Sequence, residues 1–117
     1  MRYVHISTDE GKSWVSRAEA QLTDPACNAS IIRYKYKGVN CLLFVNANHR
    51  DARKNLTVKI SYDEGKNWTE GKTIYPGSAA YSDLVMLKNG DIGLIFEKND
   101  HRENVFLRFP FKWLAKQ

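Results

Sequence analysis

Few side chains in this sequence have a spacing that is typical of a catalytic or metal site. The three histidines, His5, His49 and His101, stand too far apart to indicate a shared set of metal ligands. The two cysteines, Cys27 and Cys41, form neither a CxxC motif nor zinc-ligand spacing. We expect them to be buried free thiols, with a single disulfide as the alternative. Neither a Ser-His-Asp arrangement nor a phosphate-binding loop is visible, and we predict no metal site and no cofactor.

The most specific pattern is an octapeptide that occurs twice, as "STDEGKSW" at 7–14 and as "SYDEGKNW" at 61–68. Its aspartate can accept hydrogen bonds from backbone N–H groups a few residues on, as in an Asx turn. Its glycine allows a positive φ angle without steric cost. We expect its tryptophan to pack beneath the loop. The residues concerned are Asp9, Gly11 and Trp14 in the first copy and Asp63, Gly65 and Trp68 in the second.

The rest of the chain alternates between strand patterns and turn signals. At 56–61, Leu, Val and Ile alternate with Thr, Lys and Ser, which predicts a strand buried on one face. No segment has a sustained 3.6-residue period, so we predict a nearly all-β fold. The other expected elements are a hairpin of 30–38 and 41–47 around Gly38-Val39-Asn40, a hairpin over 84–97 on the Asn89-Gly90 turn, a strand at 104–109, and a tail that forms a short strand or a helical turn.

The predicted strands group into units of four with a period near 50 residues, which is typical of β-propeller blades. We predict a half blade at 1–23 with the first octapeptide, a full blade at 24–74 with the second, and a final blade at 75–117. A propeller closes with about four to eight blades. A chain of two to two and a half blades is therefore expected to need missing N-terminal blades or self-association.

The pattern Ser-x-Asp-x-Gly-x-x-Trp matches the Asp-box, or BNR repeat, of the sialidase (neuraminidase) family. The stretch at 42–68 resembles the penultimate blade of exo-sialidases, "DPACNASIIRY" at 24–34 resembles the linker into that blade, and "GSAAYSDLVMLKNGDIGLIFE" at 77–97 resembles the segment with the catalytic tyrosine. The resemblance covers essentially the whole chain and corresponds to the C-terminal third of a six-bladed propeller. It implies that the Asp-boxes are structural turns.

The resemblance also implies roles for three side chains. Tyr81 corresponds to the nucleophile, Arg53 to one arginine of the triad that binds the carboxylate of sialic acid, and Glu97 to the carboxylate that orients another triad arginine. Arg50 is the rival to Arg53, although the local sequence favours Arg53. The family's acid/base aspartate, the glutamate that activates the tyrosine and two triad arginines belong to preceding blades.

The function implied is that of a C-terminal fragment of a retaining exo-α-sialidase, which acts on sialylated glycans and is inactive alone. The alternative is a non-catalytic propeller-type module that self-associates and binds acidic sugars. The net charge of +5 comes from scattered Lys and Arg residues, so we expect no nucleic-acid partner. No apolar run approaches the length of a membrane span. No signal peptide is visible, and the family resemblance favours a secreted or cell-surface location without deciding it.

Overall fold

The computed structural model describes residues 1–116, and nearly all of their regular structure is β-strand. This strand content confirms the all-β prediction. None of the helices in residues 1–116 is long and apolar enough to cross a membrane. The elements are β1 (Arg2–Ile6), β2 (Val15–Glu19), β3 (Ser30–Tyr36), β4 (Val39–Ala47), β5 (Lys54–Ser61), β6 (Lys72–Met86), β7 (Asp91–Lys98), β8 (Glu103–Pro110) and α1 (Phe111–Ala115).

The strands form a separate hairpin, β1-β2, and a continuous six-stranded sheet in the order β3-β4-β5-β6-β7-β8, with antiparallel neighbours throughout. Every strand therefore pairs with a neighbour in sequence, although β2 and β3 belong to separate sheets. The tail forms a helical turn, α1, rather than the alternative short strand, while Gln117 lies outside the described residues.

The long strand β6 serves two parts of the sheet in turn. Its first half pairs with β5, from Lys72 to Ser78, and its second half pairs with β7, from Ala79 to Met86. One strand thus completes a four-stranded unit and begins the next. The predicted boundary between residues 74 and 75 falls inside β6, and that division stays a prediction.

The main core lies along the six-stranded sheet and is almost entirely apolar. Cys41 belongs to this core, and Cys27 is buried outside it; both are free thiols, as expected. Burial raises the pKa of each thiol. The fully buried side chains of the core include Leu43, Val45, Leu56, Val58, Ile60, Ile92, Leu94 and Leu114.

The prediction that β5 is buried on one face only is wrong. Its polar residues Thr57, Lys59 and Ser61 are also buried. The segment after β2 crosses this face, and the ammonium group of Lys59 donates a hydrogen bond to the carbonyl oxygen of Gln21 at 2.7 Å. Burial lowers the pKa of Lys59, because the charged form loses hydration.

Both predicted hairpins form; the first turn is shifted from its predicted residues, whereas the second contains the predicted Asn89-Gly90 pair. The β3-β4 turn consists of Lys37 and Gly38, which both have positive φ, so that Val39 already belongs to β4. In the β6-β7 hairpin the Gly90 N–H donates to the Leu87 carbonyl oxygen at 2.9 Å, which makes a four-residue loop with Gly90 in the left-handed region. The flanking strands satisfy their hydrogen bonds in these registers, and short turn motifs do not specify register to one residue.

Candidate active site around Arg53 and Tyr81

Tyr81 lies in a β-bulge of β6. Ala79 pairs with Lys98 and Ser82 pairs with Phe96, so that two residues, Ala80 and Tyr81, face the single residue Glu97 on β7. Such a bulge leaves backbone groups unpaired and re-aims side chains. The side chain of Tyr81 is half exposed, at 51%. Its hydroxyl group has no hydrogen-bond partner within residues 1–116.

Glu97 replaces the missing ladder bond at this bulge. Its carboxylate oxygen Oε1 accepts a hydrogen bond from the backbone N–H of Tyr81 at 3.2 Å. The same oxygen lies 3.0 Å from Nδ1 of His101. An ionised carboxylate can only accept hydrogen bonds, so this contact is a hydrogen bond in the His101 tautomer that carries a proton on Nδ1. The other oxygen, Oε2, has no hydrogen-bond partner in the described part of the chain.

Arg53 approaches Tyr81 from the neighbouring strand connection. It precedes β5 directly, and its guanidinium carbon lies 5.7 Å from the centroid of the Tyr81 ring, which is within the range of a cation–π contact. Its Nη2 atom donates to the carbonyl oxygen of Ala26 at 3.0 Å. The Arg53 carbonyl oxygen accepts from the N–H of Ala79 at 3.0 Å, which joins the arginine to the strand of Tyr81.

The loop that carries Arg53 is held by a histidine whose role the sequence did not reveal. The backbone N–H groups of Asp51 and Ala52 donate to Nδ1 of His49 at 3.1 and 2.9 Å. Arg50, the rival candidate, is exposed in the same loop, and its side chain makes no hydrogen bond or ion pair to any residue from 1 to 116. The structure therefore brings Arg53, and not Arg50, against Tyr81.

Two open cavities adjoin these residues. One, of about 390 Å³, is lined by Tyr81 and Glu97 together with Asn28 and Asn104. The other, of about 340 Å³, is lined by Arg53 and His101 among others. His101 thus lines the cavity of Arg53 and contacts the carboxylate that lines the cavity of Tyr81. The lining of each cavity includes charged and polar side chains, Glu97 and Asn28 in the first and Arg53 and Asp100 in the second.

The two octapeptide loops repeat one hydrogen-bond pattern, in which the first serine of the motif has a role that the sequence analysis did not assign to it. Ser7 donates to Asp9 at 2.8 Å and accepts from the N–H of Gly11 at 2.8 Å. Asp9 accepts from the N–H of Ser13 at 2.8 Å. The equivalent bonds in the second loop, between Ser61, Asp63, Gly65 and Asn67, have lengths of 2.8 to 2.9 Å. In each loop, the serine and aspartate side chains are therefore satisfied within the loop itself.

The two tryptophans of these loops differ in their surroundings. Trp68 packs edge-on against Phe44, with ring centroids 5.8 Å apart. Trp14 folds back on its own loop and donates to the Gly11 carbonyl oxygen at 3.1 Å, but it remains 60% exposed. Both rings thus lie against their own loops or their neighbours as expected, but Trp14 stays exposed, because β1 and β2 form only a two-stranded sheet.

A metal site has no support in the described residues. Among residues 1–116, no cluster of three or more His, Cys, Asp or Glu side chains is arranged to hold an ion.

Comparison with known proteins connects this geometry to a family. Residues 1–94 match the BNR repeat-like domain. The chain is 38% identical to a sialidase of Micromonospora viridifaciens over 97% of its own length and 18% of that protein. It is 30% identical to an exo-alpha-sialidase of Aspergillus fumigatus over 82% of its length and 28% of that protein. The chain spans between 16% and 28% of the curated relatives that it matches.

Solved structures extend the likeness to the fold. The Hadza microbial sialidase Hz136 superposes with a TM-score of 0.80 at 26% identity, over 94% of this chain and 23% of that one. The NanB sialidase of Streptococcus pneumoniae superposes with a TM-score of 0.81 at 20% identity, over 96% of this chain and 20% of that one. The predicted partial β-propeller is thereby confirmed. By its repeats, its fold and its relatives, the chain belongs to the sialidase family with BNR repeats.

Proposed function

We propose that this chain contributes the nucleophile and one carboxylate-binding arginine to the active site of a retaining exo-α-sialidase, which releases terminal sialic acids from glycoconjugates. The observation that carries the proposal is the position of the Arg53 guanidinium group 5.7 Å from the Tyr81 ring. Arg53 lies in the loop just before β5 and Tyr81 lies in β6, and the pairing of β5 with β6 and the bulge bring them together.

The chemistry of the substrate accounts for both residue types. Sialic acid carries a carboxylate on its anomeric carbon, and the planar guanidinium group of Arg53 can bind it through two parallel hydrogen bonds. The same negative charge would repel an Asp or Glu nucleophile, whereas the neutral phenol of Tyr81 can approach; sialidases with a tyrosine nucleophile are known exceptions to the two-carboxylate scheme.

The reaction would proceed in two displacements. The Tyr81 hydroxyl oxygen forms a bond to the anomeric carbon as the bond to the glycosidic oxygen breaks. Its proton passes to a carboxylate base, and an acid protonates the leaving oxygen. Water then attacks the same carbon as the bond to the Tyr81 oxygen breaks, and its proton passes to the deprotonated acid. The base returns its proton to the Tyr81 oxygen, so that sialic acid is freed and the phenol is restored. A free phenol has a pKa near 10 and needs such a base at neutral pH.

The unpartnered groups of the described chain support the view that the site is incomplete. The Tyr81 hydroxyl and Glu97 Oε2 have no hydrogen-bond partners here. These are the two groups that the family pairs with the activating glutamate and with a further triad arginine. We therefore propose that preceding blades supply these partners, together with the acid/base aspartate and the second missing arginine.

The test is a chimaera in which residues 1–117 replace the corresponding segment of the Micromonospora viridifaciens sialidase. We expect hydrolysis of a fluorogenic sialoside, reduced at least about a thousandfold by Tyr81→Phe. The isolated chain should show no turnover above its own Tyr81→Phe variant. Full activity of the chimaera that carries Tyr81→Phe would rule out Tyr81 as the nucleophile. Turnover by the isolated chain would contradict the proposal that its site is incomplete.

A second candidate function is a self-associating binding module, and exposed apolar side chains favour it. Tyr3 and Val15 are exposed on the first hairpin, and Ile95 and Phe106 on the last strands. Association would cover these surfaces. Sedimentation of the purified chain shows whether it forms a discrete oligomer. If that oligomer binds sialic acid without hydrolysing it, the binding module is favoured.

A further inference from the structure

His101 lies in an unusual backbone turn next to the proposed site. Asn99, Asp100 and His101 have φ angles of 54°, 55° and 67°, so that three consecutive residues other than glycine adopt the left-handed region. Such a conformation is unfavourable for each of them and persists only where surrounding contacts hold it. We refer to residues 99–101 as the His101 turn.

The contacts that hold the His101 turn come from the strand that carries Tyr81. The N–H of Asn99 donates to the carbonyl oxygen of Ser78 at 3.1 Å, and the N–H of Asp100 donates to the Ser78 hydroxyl at 3.1 Å. The hydroxyl of Tyr75 donates to the Asn99 side chain at 3.1 Å. The turn is therefore attached to β6 immediately before the bulge, and its shape is coupled to that of β6.

The turn directs the imidazole onto the carboxylate that holds the bulge. His101 Nδ1 and the Tyr81 N–H share Oε1 of Glu97, at 3.0 and 3.2 Å. The side chain of Glu97 is only 30% exposed, so one contact restricts the orientation available for the other. With Oε1 occupied twice, Oε2 is left for a further cationic partner.

We propose that His101 is a positioning residue of this site. Its Nδ1–H fixes the Glu97 carboxylate so that Oε1 holds the Tyr81 backbone and Oε2 faces away from it, toward an incoming guanidinium group. The imidazole thereby sets the position of Tyr81 without contacting its phenol. The catalytic meaning of this role rests on the proposed function, whereas the contact itself can be measured in the isolated chain.

Amide hydrogen exchange by NMR tests the role in the ¹⁵N-labelled 117-residue protein. Ala and Gln at position 101 share the same left-handed backbone cost, so His101→Ala and His101→Gln differ chiefly in a side-chain N–H donor. We expect the Tyr81 amide to exchange about tenfold faster in His101→Ala, since a bond to a charged group is weakened. His101→Gln should restore most of the protection, and His5→Ala should leave Tyr81 unchanged.

A measurement on the unmodified protein covers the case in which His101→Ala fails to fold. The ¹⁵N shifts of the His101 ring show which nitrogen carries the proton, and the proposal requires Nδ1. A proton on Nε2 alone would overturn it, as would a Tyr81 amide that is insensitive to His101→Ala. If the amide responds while the chimaera is inactive, the positioning role stands and the proposed function fails.

Discussion

The backbone N–H of Tyr81 donates a hydrogen bond to Oε1 of Glu97 at 3.2 Å, across the bulge between β6 and β7. A side chain thus replaces a backbone acceptor at the residue proposed as the nucleophile. The family resemblance assigned Glu97 a different task, the orientation of an arginine. The two tasks are compatible because each can use one carboxylate oxygen.

Replacement of Glu97 by Ala should loosen the bulge. We expect a loss of about 1 kcal/mol in the free energy of unfolding, which is below the usual value for a charged hydrogen bond because the group is partly exposed. Glu97→Gln keeps one acceptor oxygen and should lose less. Urea denaturation measures both, and Asp51→Ala, which removes a carboxylate in the neighbouring loop, is the control. A Glu97→Ala protein as stable as this control would contradict the proposed bond.

Arg53 and Arg50 can be told apart by ligand titration. We expect Arg53→Ala to abolish the NMR shift changes that sialic acid produces at the Tyr81 amide, and Arg50→Ala to leave them intact. Arg53→Lys keeps the charge but loses the planar fork, so binding should weaken substantially. The opposite result for the two alanine variants would assign the carboxylate-binding role to Arg50.

The first octapeptide loop should weaken in acid. The Ser13 hydroxyl, the Ser13 N–H and the Ser7 hydroxyl lower the pKa of Asp9 from 3.8 to about 2. A lowered folded-state pKa stabilises the protein above pH 3.8, and this contribution is lost as the pH falls through about 2. The stability difference between the protein and Asp9→Asn should therefore shrink from about pH 5 to pH 2, as measured by urea denaturation. A difference that is constant over this range would show that the charge of Asp9 contributes nothing.

Two turn glycines offer a matched pair for steric cost. Gly38 and Gly90 both have a φ of +85°, so alanine is strained equally at the two backbones. A Cβ at Gly38 meets open space, whereas one at Gly90 would overlap the Tyr36 ring. We expect Gly38→Ala to cost about 1 kcal/mol and Gly90→Ala about 2–4 kcal/mol of unfolding free energy. Equal costs in a denaturant titration would mean that the Tyr36 ring moves aside freely.

Local patterns predicted the strands and the family well, because both the alternation of apolar and polar residues and the Asp-box involve residues that are close together in sequence. The burial of Lys59 could not be predicted in this way, since it depends on a segment that begins at Gln21, 38 residues earlier. The same holds for the bulge at Tyr81, because the shift in pairing has no motif of its own. The positioning role of His101 was not predicted, because a single histidine has no motif spacing. The proposed role depends on three consecutive residues with positive φ, which only the structure reveals.

The continuity of β6 bears on how such proteins can be recombined. A junction placed between residues 74 and 75 would cut one strand that two parts of the sheet share. The segment taken from the other protein would then have to restore the hydrogen bonds of β6 with both β5 and β7. A junction in the loop at 87–90 would cut no strand. Hybrid sialidases joined there would inherit Arg53 and Tyr81 from the same parent.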